Sequence, residues 1–367
     1  MEAKQLAFIH RFGFSGVNDF LPPALEKEGW QVHKLDTSKA RQVFGKTDRL
    51  LWQVSTALGF GLKKKYGLNR FWPWLYAVET RSRYLQTRVA ELEAADAVLM
   101  TQTVSVPPKT SKPFFVYTDA AQPLIRREWP AMMFMKDEAE KKAWFGVERK
   151  IYGLADKVFA YNDCVKESLV SECGVPGEKI EVVGVGANYA ELPAPSAAKK
   201  QGLLFVCSEF ERQGGFRVLE AFKRLRELRP DLELTVVGET SKAAHSAAPK
   251  GTRFTGKLHG PPLEQAFYDA QVFLMPSHYG GVQATLEAMA HGCSCVLADN
   301  AMLSMFRDCA LPVNAGNVAE IADAVDRLLV DKTLRERLAR KARERVEARF
   351  NWPAVARKMS ETMREFV

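Results

Sequence analysis

Residues 272–298 read VFLMPSHYGGVQATLEAMAHGCSCVLA. Val272–Met275 has the length and composition of a buried strand. Pro276 and the pair Gly280-Gly281 end it, and a helix is expected near Gln283–His291, with Ala284, Leu286, Ala288 and Met289 as its apolar members. Cys295–Ala298 is a second short apolar run. Strand, glycine loop, helix and strand make a βαβ unit, which implies a parallel sheet covered by helices.

The same alternation continues in both directions from this stretch. In the C-terminal half, strands are expected at Leu203–Cys207 and Leu232–Val237, with a helix near Phe216–Leu228. In the N-terminal half, strands are expected at Leu6–His10, Gln31–Leu35, Ala97–Met100, Phe114–Tyr117, Val158–Tyr161 and Glu181–Val183, with a helix near Val17–Lys27. The fold class is α/β, with two Rossmann-like domains. Residues 191–202, ELPAPSAAKKQG, carry Pro, Ala and charge without a period and read as a linker. The expected division is therefore 1–192 and 193–350. A charged helical tail runs from about Val318 to Arg349, and a last helix in 351–367 starts at Pro353, with Asn351 as its cap.

With 367 residues there is material for two cores, and 47% apolar with 26% charged residues excludes disorder as the main state. No apolar run approaches the roughly 18–20 residues needed to span a bilayer, and MEAKQLAFIHRFGF reaches His10-Arg11 too soon for a signal peptide. The six cysteines form no CxxC pair and no zinc spacing, so they are expected to be reduced core residues of a cytoplasmic protein. The net charge of +8 is concentrated. Between Lys39 and Arg88 eleven Lys/Arg face two acids, Asp48 and Glu79, so this window alone carries +9. It interleaves Lys63-Lys64-Lys65 and Arg70 with Trp52, Phe60, Tyr66, Phe71, Trp72, Trp74 and Tyr76. That mixture suits an anionic membrane surface or a nucleic-acid groove, and a helical insertion with core aromatics is the plainer alternative. No RNP, KH or helix-turn-helix pattern accompanies it, so no nucleic acid is expected. WPAMMFM, residues 129–135, followed by Lys141-Lys142, is a second candidate membrane face.

Open α/β sheets bind ligands at the carboxyl ends of their strands, which singles out two loops. After Leu203–Cys207 comes SEFERQGG, residues 208–215, where Arg212 can clamp a phosphate and Gly214 lets the backbone approach it; a bare turn is the alternative. After Val272–Met275 comes PSHYGGV, residues 276–282, whose N–H groups at a helix start can hold a diphosphate. Glu287, further along that helix, can accept both hydroxyls of a ribose, or can be a solvated helix residue.

At these residues the sequence resembles a known family. PSHYGGVQATLEAMAHGCSCVLA is similar to the nucleotide-sugar signature of family 4 retaining glycosyltransferases (glycosyltransferase group 1), commonly PSxxEGxGxxxLEAMAxGxPVV. LLFVCSEFERQGGFRVLEAF resembles that family's FVGSDFxRKG loop, and residues 155–189 resemble the segment closing its N-terminal domain. FNWPAVARKM resembles its final helix, which crosses back to the N-terminal domain. FSGVNDFL, residues 14–21, is similar to the acceptor-side loop of lipopolysaccharide-core glucosyltransferases.

The resemblance implies the GT-B fold, two Rossmann-like domains with a cleft between them, and a nucleotide-sugar donor used without metal or other cofactor. It implies that Arg212 neutralises phosphate, that Gly214, His278, Tyr279, Gly280, Gly281 and Val282 shape the donor loops, and that Glu287 holds ribose. Asp119 matches a place where the family has a His or Asp facing the donor sugar; a turn cap is the alternative. Gly16, Asn18 and Asp19 would line the acceptor side near Gly13, against the alternative that Ser15 or Asn18 is an N-cap. Two departures stand out. The family's first glutamate, eight residues before Glu287, is Tyr279, and its lysine beside the arginine is Gln213. The function implied is a hexosyltransferase-type enzyme acting on a lipid-linked or polyanionic glycan acceptor, cytoplasmic and peripheral to the inner face of the membrane. The alternative is a catalytically silent GT-B partner protein that binds a nucleotide or glycan.

Overall fold

The computed structural model describes residues 3–11, 14–40, 73–128, 130, 138–194 and 202–367. It divides into two compact units, Met1–Val183 with Ala356–Val367, and Gly184–Val355.

In the N-terminal unit the elements run β1 (Lys4–His10), α1 (Val17–Lys27), β2 (Trp30–Asp36), α2 (Pro73–Gln86), α3 (Val89–Ala94), β3 (Ala97–Thr101), β4 (Phe114–Thr118), α4 (Gln122–Glu128), α5 (Glu138–Leu154), β5 (Lys157–Ala160), α6 (Asp163–Ser171) and β6 (Ile180–Val182). Six parallel strands form one sheet in the order β2-β1-β3-β4-β5-β6. The central strands, AVLMT and FFVYT, are buried along their whole length, as a sheet covered on both faces requires.

The C-terminal unit runs β7 (Leu203–Val206), α7 (Gly215–Leu228), β8 (Leu234–Val237), α8 (Lys242–Ala247), β9 (Thr252–Gly256), α9 (Pro261–Asp269), β10 (Val272–Met275), α10 (Val282–Ala290), β11 (Ser294–Ala298), β12 (Leu311–Val313), α11 (Val318–Val330) and α12 (Lys332–Ala348). Its six parallel strands lie in the order β12-β11-β10-β7-β8-β9, so the direction of winding reverses between β7 and β10. The last helix, α13 (Trp352–Arg364), starts in this unit and belongs to the N-terminal unit from Ala356 on. There Ser360 accepts a hydrogen bond from the Trp30 indole at 2.8 Å, and Met359 and Met363 are fully buried.

The unit boundary lies at Val183/Gly184, before the Pro- and Ala-rich stretch at which 192/193 was expected. The reason is local: Ala187 N donates to Phe350 O at 2.9 Å, and a Cβ on Gly186 would stand 2.5 Å from Trp352 N, so this stretch is fastened to the second unit. Two strands escaped the pattern reading, β9 and β12. Both are edges: β9 is half-exposed, and β12 holds Pro312, which an edge tolerates. Asn351 caps α13 as expected, accepting from Ala354 N at 2.8 Å. All six cysteines are free thiols and five are buried. Among the described residues no helix is long and apolar enough to cross a membrane.

Candidate functional site

Reversal of the winding order leaves a crevice at the carboxyl ends of the two strands where it happens, here β7 and β10. The two loops singled out in the sequence follow these strands. Gly214 is left-handed (φ +91°), and a Cβ there would meet Pro276 O at 2.7 Å, so glycine lets the loops touch. Gly280 and Gly281 are left-handed in succession (φ +82° and +85°) and open α10 at Val282, leaving its first N–H groups at the crevice. Polar side chains hold the second loop open: Ser277 Oγ donates to Tyr279 O at 2.6 Å, and Asn300 Nδ2, from the loop after β11, donates to Ser277 O at 2.7 Å.

Arg212 spans the two loops, donating through Nη1 to Tyr279 O at 3.0 Å and pairing through Nη2 with Glu209 at 2.9 Å. Gln213, in the place of the resembling family's lysine, turns inward. It is 5% exposed, and its Oε1 accepts from Ser208 N at 2.7 Å and Glu209 N at 3.1 Å. It is a latch for the loop after β7. Tyr279, in the place of the first glutamate, offers its carbonyl to the crevice while its side chain is buried. The exposed His278 has its pKa lowered by partial burial and by the nearby Arg217 cation. Glu287 stands on α10 among buried neighbours, and burial raises its carboxyl to about 7. Its own side chain is half-buried there. Tyr189 lies in its field, with a phenol pushed upward by burial and by Glu287.

In the N-terminal unit the order reverses between β1 and β3. Gly16 is the left-handed N-cap residue of α1, and no side chain caps that helix. The expectation of Ser15 or Asn18 as a side-chain cap is thereby corrected. Asn18 is buried instead, donating through Nδ2 to Arg11 O at 2.5 Å and accepting from Thr101 Oγ1 at 3.0 Å, so it ties the ends of β1 and β3 together. Asp19 is exposed in the first turn of α1, where a negative charge complements the helix dipole. Gly13 lies outside the described residues. Ser15 and Gln102 are the non-glycine residues with positive φ (45° and 58°) among the described ones, and both follow a strand at this reversal.

Asp119 follows β4, and burial raises its carboxyl above the ordinary range; Gln102 Nε2 lies 3.5 Å from its Oδ1. Its carboxyl also accepts backbone hydrogen bonds at its own turn, from its own N–H and that of Ala120. The start of α4 is capped by Glu148 of α5, whose Oε2 accepts from Gln122 N, the first N–H of α4, at 2.9 Å, while its Oε1 accepts from Thr103 at 3.0 Å. Sequence reading missed Glu148, because its partners are distant in the chain. It missed Arg217 too, although a basic residue in the first turn of the helix after a glycine loop was the available signal. The basic window and the 129–135 stretch fall for the most part on residues 41–72, 129 and 131–137, outside the described residues. Among the described residues no group of three or more His, Cys, Asp or Glu is placed to hold a metal ion.

Two Rossmann-like sheets with this connectivity define the GT-B class of fold, and solved structures agree over nearly the whole chain. Sucrose-phosphate synthase from Thermosynechococcus elongatus superposes with a TM-score of 0.72 at 16% identity, covering 99% of this chain and 98% of that one. WaaG, a glycosyltransferase involved in lipopolysaccharide biosynthesis, gives 0.68 at 16% identity over 98% and 99% of the two chains. Residues 200–331 match the family Glycosyl transferases group 1, so the C-terminal unit carries a group 1 glycosyltransferase domain. The chain is also 30% identical over 203 residues to glycogen synthase of Mycobacterium tuberculosis, an alignment covering 51% of this chain. The chain spans about half the length (49%) of the curated relatives it matches.

Proposed function

We propose that the protein is a nucleotide-sugar-dependent retaining glycosyltransferase of hexosyltransferase type, acting on a lipid-linked or polyanionic glycan acceptor. One arrangement carries the reading: Arg212 bridging to the loop whose twin left-handed glycines open α10, with Glu287 half-buried further along the same helix. As the sugar departs, negative charge builds on the nucleoside diphosphate, and pre-positioned donors facing that charge stabilise the transition state more than the ground state. Arg212 and the N–H groups opening α10 are such donors. Glu287 accepts from the ribose hydroxyls, which fixes the diphosphate against them. That no metal takes part is carried over from the family resemblance as part of this proposal.

In this reading Asp119 serves the sugar, and Gly16, Asn18 and Asp19 serve the acceptor, roles taken from the family resemblance. The lysine-rich window would bring the enzyme to the anionic inner face of a membrane, a cytoplasmic and peripheral location, which suits a likeness to WaaG, a glycosyltransferase involved in lipopolysaccharide biosynthesis. A second reading, a silent partner that binds nucleotide or glycan, is favoured by one observation, the tyrosine at position 279.

The deciding experiment is donor turnover across a panel of UDP-, GDP- and ADP-sugars. Release of a nucleoside diphosphate from one of them is expected. Binding without release from any would establish the silent partner instead.

A further inference from the structure

Arg217, in the first turn of α7, points at the same crevice. Its Nη2 is 3.4 Å from Pro276 O, a long hydrogen bond, and would stand 3.0 Å from a Cβ placed on Gly214. Its Nε is buried with no hydrogen-bond partner, and among the described residues no carboxylate pairs with it. A guanidinium has five N–H donors in a planar fork, so most of this group's capacity is unused. Arg212, by contrast, already has an anion in Glu209. A partly desolvated cation without a counter-ion is costly, and burial lowers its pKa accordingly. The guanidinium lies where the glycine turn of one loop touches the carbonyl of the other, and its charge reaches His278. A side chain kept at that cost, at the meeting point of two loops shaped for an anion, is short of an anion.

We infer that Arg217 is a second diphosphate-binding residue, taking over the charge that Gln213 does not supply. The inference rests on the nucleotide-sugar reading above and names a group in the donor site beyond those assigned there. Gln213 has left the crevice to bind the N–H groups of Ser208 and Glu209, so one cation is missing beside Arg212. Arg217 supplies it from the helix that follows. Its planar fork suits two oxygens of one phosphate, and the bonds gained there relieve the unpaired state of the free protein.

The test is calorimetric titration of the parent, Arg217→Gln and Arg217→Lys with UDP, GDP and ADP, followed by the monophosphate and nucleoside of whichever base binds. Arg217→Gln is expected to lose about tenfold or more in affinity for the diphosphate, the cost of a charged hydrogen bond, and little for the nucleoside. Arg217→Lys should recover part of the loss. The melting temperature of Arg217→Gln without nucleotide should equal or exceed the parent's, because a partly desolvated cation without a counter-ion has been removed. A lowered melting temperature with equal losses for diphosphate and nucleoside would show a structural role and overturn the inference. Unchanged diphosphate binding in Arg217→Gln would overturn it while leaving the donor site standing. A parent that binds no diphosphate would overturn both.

Discussion

Arg212 Nη1 donates to the carbonyl oxygen of Tyr279 at 3.0 Å and thereby joins the loop after β7 to the loop after β10, across the reversal of the sheet order. The same carbonyl accepts from Ser277 Oγ at 2.6 Å. A residue singled out for its charge is thus also a clamp, and the residue that breaks the family's glutamate pattern is its anchor through the backbone, which any side chain would provide.

Arg212→Ala removes charge and clamp together. Diphosphate affinity should fall far more than nucleoside affinity, because the lost partner is phosphate. Stability should drop by about 1–3 kcal/mol, the scale of a hydrogen bond from a charged group. Titrations with a nucleoside and its diphosphate, beside thermal melts, check both; equal losses for the two ligands would point to the clamp alone.

Glu287 makes stability depend on pH. Its folded pKa of about 7 lies above the ordinary 4.5, so between those values the unfolded chain has released the proton that the folded chain keeps. The contribution is fully present below pH 4.5 and is lost as pH rises through 7, for a total of about 3 kcal/mol. Glu287→Gln removes this dependence. Denaturant midpoints of parent and variant should diverge from pH 5 to pH 8 in the variant's favour, while Glu287→Ala should abolish the thermal shift that a nucleoside diphosphate gives the parent.

Much of the frame was legible because parallel strands buried on both faces appear as uninterrupted apolar runs. Val272–Met275 was expected and found with the same ends, and Val17–Lys27 likewise. The edge strands β9 and β12 were not legible, since half-exposed edges need no apolar run. In the site, Gly214, Gly280 and Gly281 could be named because a strand, a glycine loop and a helix are consecutive in the chain. The roles of Asn18, Gln213 and Glu148 could not be, because each is set by a partner's carbonyl, hydroxyl or N–H that only the folded backbone brings near.

The +9 window makes a prediction that depends on sequence alone. If it serves a membrane surface, liposome binding should require anionic lipid and weaken with salt, since each Lys or Arg near such a surface contributes roughly 1 kcal/mol. Replacing Lys63, Lys64 and Lys65 by Gln should cost several-fold or more in liposome affinity and leave nucleotide binding unchanged. Equal binding by the triple variant would refute the membrane reading.

Asn351 joins two helices. Its Oδ1 accepts from Ala354 N at 2.8 Å at the start of α13, while its Nδ2 donates to Val346 O at 3.0 Å and Glu347 O at 2.7 Å at the end of α12. Asn351→Ala should lower stability by about 1–2 kcal/mol, and Asn351→Asp, which keeps only the acceptor, should fall between. Chemical denaturation of the three proteins measures the order.

Glu148 joins the loops after β3 and β4 through Thr103 and Gln122, and these loops carry Gln102 and Asp119. Burial pushes its carboxyl up to about 7, and the Asp119 charge adds to the rise. Glu148→Ala leaves the Gln122 N–H and the Thr103 hydroxyl without their acceptor in a buried place, and should cost about 2–4 kcal/mol. Glu148→Gln keeps the shape and one acceptor oxygen, so it should remain folded while one of the two ties between the loops, to Thr103 or to Gln122, is lost. With a donor sugar identified, that variant should show reduced kcat and unchanged nucleoside diphosphate affinity, because Arg212, the glycine loops and Glu287 all belong to the other unit. Unaltered turnover in a folded Glu148→Gln protein would show that the tie is dispensable and that Asp119 is held, or used, in another way.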